Sequence, residues 1–71
     1  MAAPIKLFDV VALTVDLPER LLRGHVGTVV QELAPCVFEV EFSDDHGQTY
    51  ASLAIPESRL LVLRYSPVEA T

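Results

Sequence analysis

Phe38, Val40 and Phe42 alternate with Val37, Glu39 and Glu41. Alternation at a period of two puts successive side chains on opposite faces of an extended chain. Val37 to Phe42 is therefore predicted as a strand with Phe38, Val40 and Phe42 in the core and its glutamates toward water. Asp9 to Val15 is apolar almost throughout, so period alone does not separate strand from helix; its β-branched residues and short length favour a strand. A second strand is predicted from about His25 to Leu33, and Ala34-Pro35-Cys36 turns the chain into the third. Ser43-Asp44-Asp45-His46-Gly47 reads as a hairpin loop, because Asp and Gly supply turn geometry. Gln48 to Ile55 returns as the fourth strand, with Thr49, Ala51, Leu53 and Ile55 on one face. Pro56 to Arg59 breaks it as a 3₁₀ turn, and Leu60 to Leu63 is the fifth strand.

The first long connection is Asp16 to Arg23. Asp16 and Glu19 have capping-box spacing and Pro18 suits a first helical turn, but too few residues remain before Gly24 for a stable helix. A loop with at most one 3₁₀ turn is expected. Gly24 and Gly27 then open the β-branched run Thr28-Val29-Val30. Glycine is used where the backbone needs positive φ or where a Cβ has no room, so Gly24, Gly27 and Gly47 are assigned as structural turn residues, Gly24 and Gly27 feeding a long, bent strand. Together these elements predict an all-β fold, a small five-stranded SH3-like barrel with one 3₁₀ turn before the last strand. Residues 1–5 are expected to form a flexible arm, 6–65 the single domain and 66–71 a frayed tail.

With 71 residues, one small domain is all the chain can build. Hydrophobic residues make up 51% of it. Not all of that apolar area fits inside so small a domain, and a contiguous exposed patch usually marks an interface. Formal net charge is −5, from 10 acidic and 5 basic residues, and the cations Lys6, Arg20, Arg23, Arg59 and Arg64 are scattered. Phosphate-backbone binding draws on clustered Lys and Arg, so this balance argues against nucleic acid. Cys36 is the only cysteine and cannot form an intramolecular disulfide; it is read as a half-buried apolar residue in a reducing compartment. The N-terminus lacks the pattern of a signal peptide, and no apolar run is long enough to span a membrane, so a cytoplasmic location is expected.

Leu7-Phe8-Asp9-Val10-Val11-Ala12-Leu13, Asp16-Leu17-Pro18-Glu19, Arg23-Gly24-x-x-Gly27-Thr28-Val29-Val30, Val40-Glu41-Phe42 and Leu60-Leu61-Val62-Leu63 together resemble a small uncharacterised bacterial family, a domain of unknown function (DUF4926). The resemblance runs from Lys6 to Leu63. It implies a stand-alone SH3-like barrel and brings no assigned catalytic residue. Gly24-x-x-Gly27-x-Val29 is also similar, over about ten residues, to the KOW-type motif of ribosomal and transcription proteins and to the barrel of the nitrile hydratase β subunit.

Candidate chemistry is sparse. Glu39 and Glu41 share one strand face, but the outer face of a hairpin does not enclose a carboxylate pair as acid–base catalysis needs. Asp44, Asp45 and His46 are adjacent turn residues, and with His25 and Cys36 they lack the spacing of a calcium or zinc ligand set. Neither a cofactor nor a metal is expected, and no small-molecule substrate. The chain carries no phosphate-binding glycine loop and no nucleophile elbow, so it is not expected to be an enzyme. His25 sits within the Gly24–Gly27 turn, either as a neutral turn residue or as a pH-sensitive contact. Tyr50 and Tyr65, with Glu39, Glu41, Arg23 and His25, form the candidate interaction surface, because aromatics with a polar tip are favoured at interfaces. The expected function is a non-catalytic protein-interaction module that binds a protein partner or itself, as an accessory subunit or in the manner of an antitoxin. The alternatives are a KOW-like nucleic-acid-binding barrel, using Arg20 and Arg23, and a purely structural homo-oligomer such as a homodimer.

Overall fold

The alternation of Val37 to Phe42 is realised as strand β3, Val37–Ser43, at the centre of the core. In a computed structural model of the chain, which describes residues 5–64, Val40 and Phe42 are fully buried and Phe38 nearly so. β3 pairs antiparallel with β2 (Val26–Ala34) on one side and β4 (Thr49–Pro56) on the other. β1 (Val10–Leu13) pairs with β2 and with β5 (Leu60–Val62). The result is one antiparallel five-stranded sheet of order β4-β3-β2-β1-β5, with a 3₁₀ turn over Glu57–Arg59 before the last strand. This is an all-β, small SH3-like architecture. The sheet curls without closing: β4 and β5 are not hydrogen bonded to each other and remain its two edges.

Val11 and Leu13 from β1, Val29 from β2, Ile55 from β4 and Leu21 from the first connection complete the buried cluster with the β3 side chains. Ile5, assigned by its sequence to a flexible arm, is buried in this cluster instead. The other arm and tail residues, and Tyr65, lie outside the described residues. β1 is shorter than Asp9–Val15 because its pairing ends at Leu13. There the Leu13 N–H donates to His25 O and the Gly24 N–H to Leu13 O, and Val15 is left exposed.

The Asp16–Arg23 connection is a loop without a 3₁₀ helix. Asp16 does not cap a helix. Its carboxylate accepts the Arg23 N–H at 2.8 Å, and the Leu17 N–H donates to Leu21 O at 2.8 Å, folding the loop so that Leu21 plugs the core.

The three glycines serve two different purposes. Gly24 has φ +95° and Gly47 φ +79°, with open space where a Cβ would stand; both are turn residues. Gly27 is not. It lies inside β2, where a Cβ would come within 2.6 Å of Val40 Cγ1 and 2.8 Å of the Glu41 carbonyl oxygen. Its absent side chain lets β3 pack against β2. β2 is long and bent, as expected, and its register shifts between Val29 and Gln31 and again between Glu32 and Ala34. Such bulges strengthen the local twist.

Candidate functional site

The face of the sheet turned away from the core divides into two halves. On the β3–β4 side, Glu41 stands between Thr28 and Ser52, and Glu39 between Gln31 and Ala54. None of these cross-strand neighbours is charged. The Ser52 hydroxyl donates to Glu39 Oε2 at 3.1 Å. Both glutamates are half-buried by the strands around them, on an open face.

On the β1–β5 side the same face is apolar. Val11 and Leu13 point into the core, which leaves Val10 and Ala12 on the outer side. Ala12 pairs with Val26 on one flank and Leu61 on the other. Ala12 is only 9% exposed, whereas Val26 is 44% and Leu61 57% exposed. A small, buried residue thus sits between two larger exposed ones in an apolar row across three strands. Thr28, which pairs with both Glu41 and Val10, marks the border between the halves.

Tyr50 and His25 lie at the rim. Tyr50 is the extra residue of a register shift in β4, because Phe42 pairs with Ala51 and Ser43 with Thr49. This bulge also takes Thr49 out of the core-facing set; it is exposed, while Ala51 and Leu53 pack against the core. The Tyr50 ring meets His25 edge to face at 6.5 Å between centroids. His25 Nδ1 accepts the Leu22 N–H at 2.7 Å, which fastens the turn containing Gly24. His25 is half-buried and Tyr50 is 51% exposed. Arg23 is exposed on the same loop, its backbone N–H held by Asp16. Arg20 and Arg23 share this loop with Asp16 and Glu19, so the loop carries no net charge and makes no basic patch.

Cys36 is exposed rather than half-buried and has φ +63°, because it is the second residue of the Pro35–Cys36 turn. Asp44 spends its carboxylate on the hairpin: Oδ1 accepts the N–H groups of His46 at 2.8 Å and Gln48 at 3.0 Å. Among the described residues no three His, Cys, Asp or Glu side chains converge on a point that could hold a metal ion.

One exposed aromatic was not singled out by the sequence. Lys6 to Asp9 form a turn in which the Asp9 N–H donates to Lys6 O and the Lys6 N–H to Asp9 Oδ2. Phe8, its third residue, has φ +68° and is 72% exposed. Bulky residues rarely adopt positive φ. The signal is invisible in the residue types, since Phe8 occupies a position where Gly or Asn is the usual choice.

These features define a small all-β domain of SH3-like architecture with a two-part outer face, acidic on one side and apolar on the other. Among the described residues no helix is long and apolar enough to cross a membrane. The chain belongs to the family described as a domain of unknown function, DUF4926, whose model matches residues 7–62 and so spans both the Phe8 turn and β5. No curated protein and no solved structure matches the chain.

Proposed function

We propose that this protein is a non-catalytic, cytoplasmic interaction module that docks a protein partner on the outer face of its sheet, as an accessory subunit or an antitoxin-like partner would. The observation that carries the reading is the apolar row Val26–Ala12–Leu61, in which Val26 and Leu61 stand exposed on either side of the buried Ala12, beside the half-face bearing Glu39 and Glu41. An uncovered apolar strip with a charged flank has the anatomy of an interface: the strip supplies burial, the flank supplies orientation and steering. The acidic flank favours a partner with a basic border around an apolar centre. Phe8, exposed on a strained turn, is a further anchor, since strained positions persist where function requires them.

The test is capture of a partner from a nuclease-treated lysate of the native host, repeated with Leu61→Glu. One stoichiometric protein, retained by the parent chain and lost by the variant, is the expected result. Retention of the same protein by Leu61→Glu refutes the apolar row as the docking face. Bait alone, with a dimeric mass by light scattering that Leu61→Glu makes monomeric, assigns the face to a second copy.

A further inference from the structure

The sheet leaves β4 as an open edge, and the edge is unlike those that proteins ordinarily protect. Edge strands are usually blunted by charge, by shortness or by proline. β5, the opposite edge, has only three residues. β4 has eight, none of them charged, and its only proline is the last residue, Pro56. The bulge at Tyr50 twists its beginning, which leaves Ala51 to Ile55 regular.

The ladder fixes which backbone groups face outward. The Glu57 N–H donates to Cys36 O, so Phe38/Ile55, Val40/Leu53 and Phe42/Ala51 are the hydrogen-bonded pairs between β3 and β4. Ser52 and Ala54 therefore turn their N–H and C=O groups away from β3. Both residues are exposed, and among the described residues no other backbone group bonds them. Beside the second half of the strand, Leu17, Pro18 and Glu19 form the far wall of an open cleft of about 200 Å³.

Charge selects the occupant. Neighbouring strands lie about 5 Å apart, so a strand added to β4 stands about 10 Å from β3. On the outer face only the small side chains of Ser52 and Ala54 would separate it from Glu41 and Glu39. Asp44 and Asp45 lie in the turn that leads into β4, and Glu19 lines the cleft; Arg59 is the cation at its far end. Lysine or arginine on an added strand would reach the two glutamates over Ser52 and Ala54. Alternate side chains of that strand would point to the other face, toward Ala51, Leu53 and Leu17.

We infer that β4 accepts an extended segment of a protein partner by strand addition, the segment carrying basic residues at every second position and apolar residues between them. Main-chain hydrogen bonds to Ser52 and Ala54 give the affinity, and the glutamates give the register. The inference rests on the reading of the protein as a binding module. It uses the edge rather than the face, so Leu61→Glu and the variants below separate the two.

The probe is a short labelled peptide of alternating lysine and valine, titrated at low salt and followed by fluorescence anisotropy. Ser52→Pro and Ala54→Pro each remove one outward N–H at a position where an edge strand tolerates proline. Each is expected to weaken binding about tenfold while circular dichroism remains that of the folded parent. Glu39→Gln with Glu41→Gln, which leaves the backbone edge intact, is expected to weaken binding about tenfold and to flatten its salt dependence. A peptide with glutamate in place of lysine should not bind. No binding of the lysine peptide, equal binding of the glutamate peptide, or unchanged affinity in both the proline and the glutamine variants overturns the inference. Displacement of the peptide by a single-stranded oligonucleotide would overturn it in favour of nucleic acid. A parent dimer that Ser52→Pro dissociates would give the edge to a second copy instead.

Discussion

Gly27→Ala is the substitution that most directly tests how the sheet is packed. The added Cβ would stand 2.6 Å from Val40 Cγ1, 2.8 Å from the Glu41 carbonyl oxygen and 3.0 Å from Phe42 Cδ1. Val40 and Phe42 are fully buried, so neither side chain can swing into solvent. The carbonyl belongs to the strand ladder, in which Thr28 pairs with Glu41. Overpacking of this kind costs about 1–3 kcal/mol, and the rigidity of all three neighbours places Gly27→Ala in the upper part of that range. Alanine also restricts the unfolded chain, which offsets roughly 0.5–1 kcal/mol. A net loss of about 2 kcal/mol is expected. That is a large part of the roughly 4–10 kcal/mol available to a domain of this size. Thermal unfolding followed by circular dichroism should show Tm lower by about 10 °C. Gly24→Ala, where nothing lies within 4 Å and only the φ of +95° is unfavourable, should cost less, about 1 kcal/mol. Val40→Ala supplies the check on cause. If the clash is what costs stability, Val40→Ala is less destabilising in the Gly27→Ala background than alone. A Gly27→Ala protein within about 2 °C of the parent, or additive effects of the two substitutions, would refute the packing argument.

Other substitutions probe the turns. Cys36→Gly should stabilise the protein by about 0.5–1 kcal/mol in urea denaturation, because a side chain at φ +63° is strained and the site is exposed. Asp44→Ala should cost about 1–2 kcal/mol and speed amide exchange at His46 and Gln48, whose N–H groups share Asp44 Oδ1. Phe8→Gly should leave stability within about 1 kcal/mol of the parent by relieving φ +68° at an exposed ring. The same variant should reduce partner capture from lysate. A larger loss of stability would show that Phe8 belongs to the fold rather than to an interface.

The parts of this fold that are legible in the sequence are those where one face differs from the other. β3 can be read from Phe38, Val40 and Phe42 against Glu39 and Glu41, and the hairpin from Asp44 and Gly47. β1 is apolar on both faces, so its pattern does not say that Ala12 turns outward between Val26 and Leu61. That half of the candidate surface emerges only from the register of three strands. The bulges of β2 and β4 leave no mark either, because Val30, Leu33 and Tyr50 are ordinary strand residues. Phe8 and Cys36 occupy positive-φ positions without the Gly or Asn that would announce them. The five-stranded, small SH3-like architecture with its 3₁₀ turn before the last strand is as the short strands predict, and the sheet curls without β4 meeting β5.

Small residues on this sheet mark where another group comes close. On the inner face the missing side chain of Gly27 admits Val40 and Phe42, and the fold itself fills the space. On the outer face Ala12 makes a low point between Val26 and Leu61, and Ser52 and Ala54 make another between Glu41, Glu39 and the edge. Neighbouring side chains already enclose Ala12, whereas no other backbone group among the described residues bonds the edge at Ser52 and Ala54. If Ala54 served only the geometry of the sheet, enlarging it outward would be neutral for stability and for binding alike. If Ala54 receives a partner, Ala54→Leu should fold like the parent and bind worse, whereas Ala12→Leu, at a buried position, should cost stability as well. The inner and outer positions then differ in what they reveal: Gly27→Ala is read in Tm, and Ala54→Leu is read in affinity.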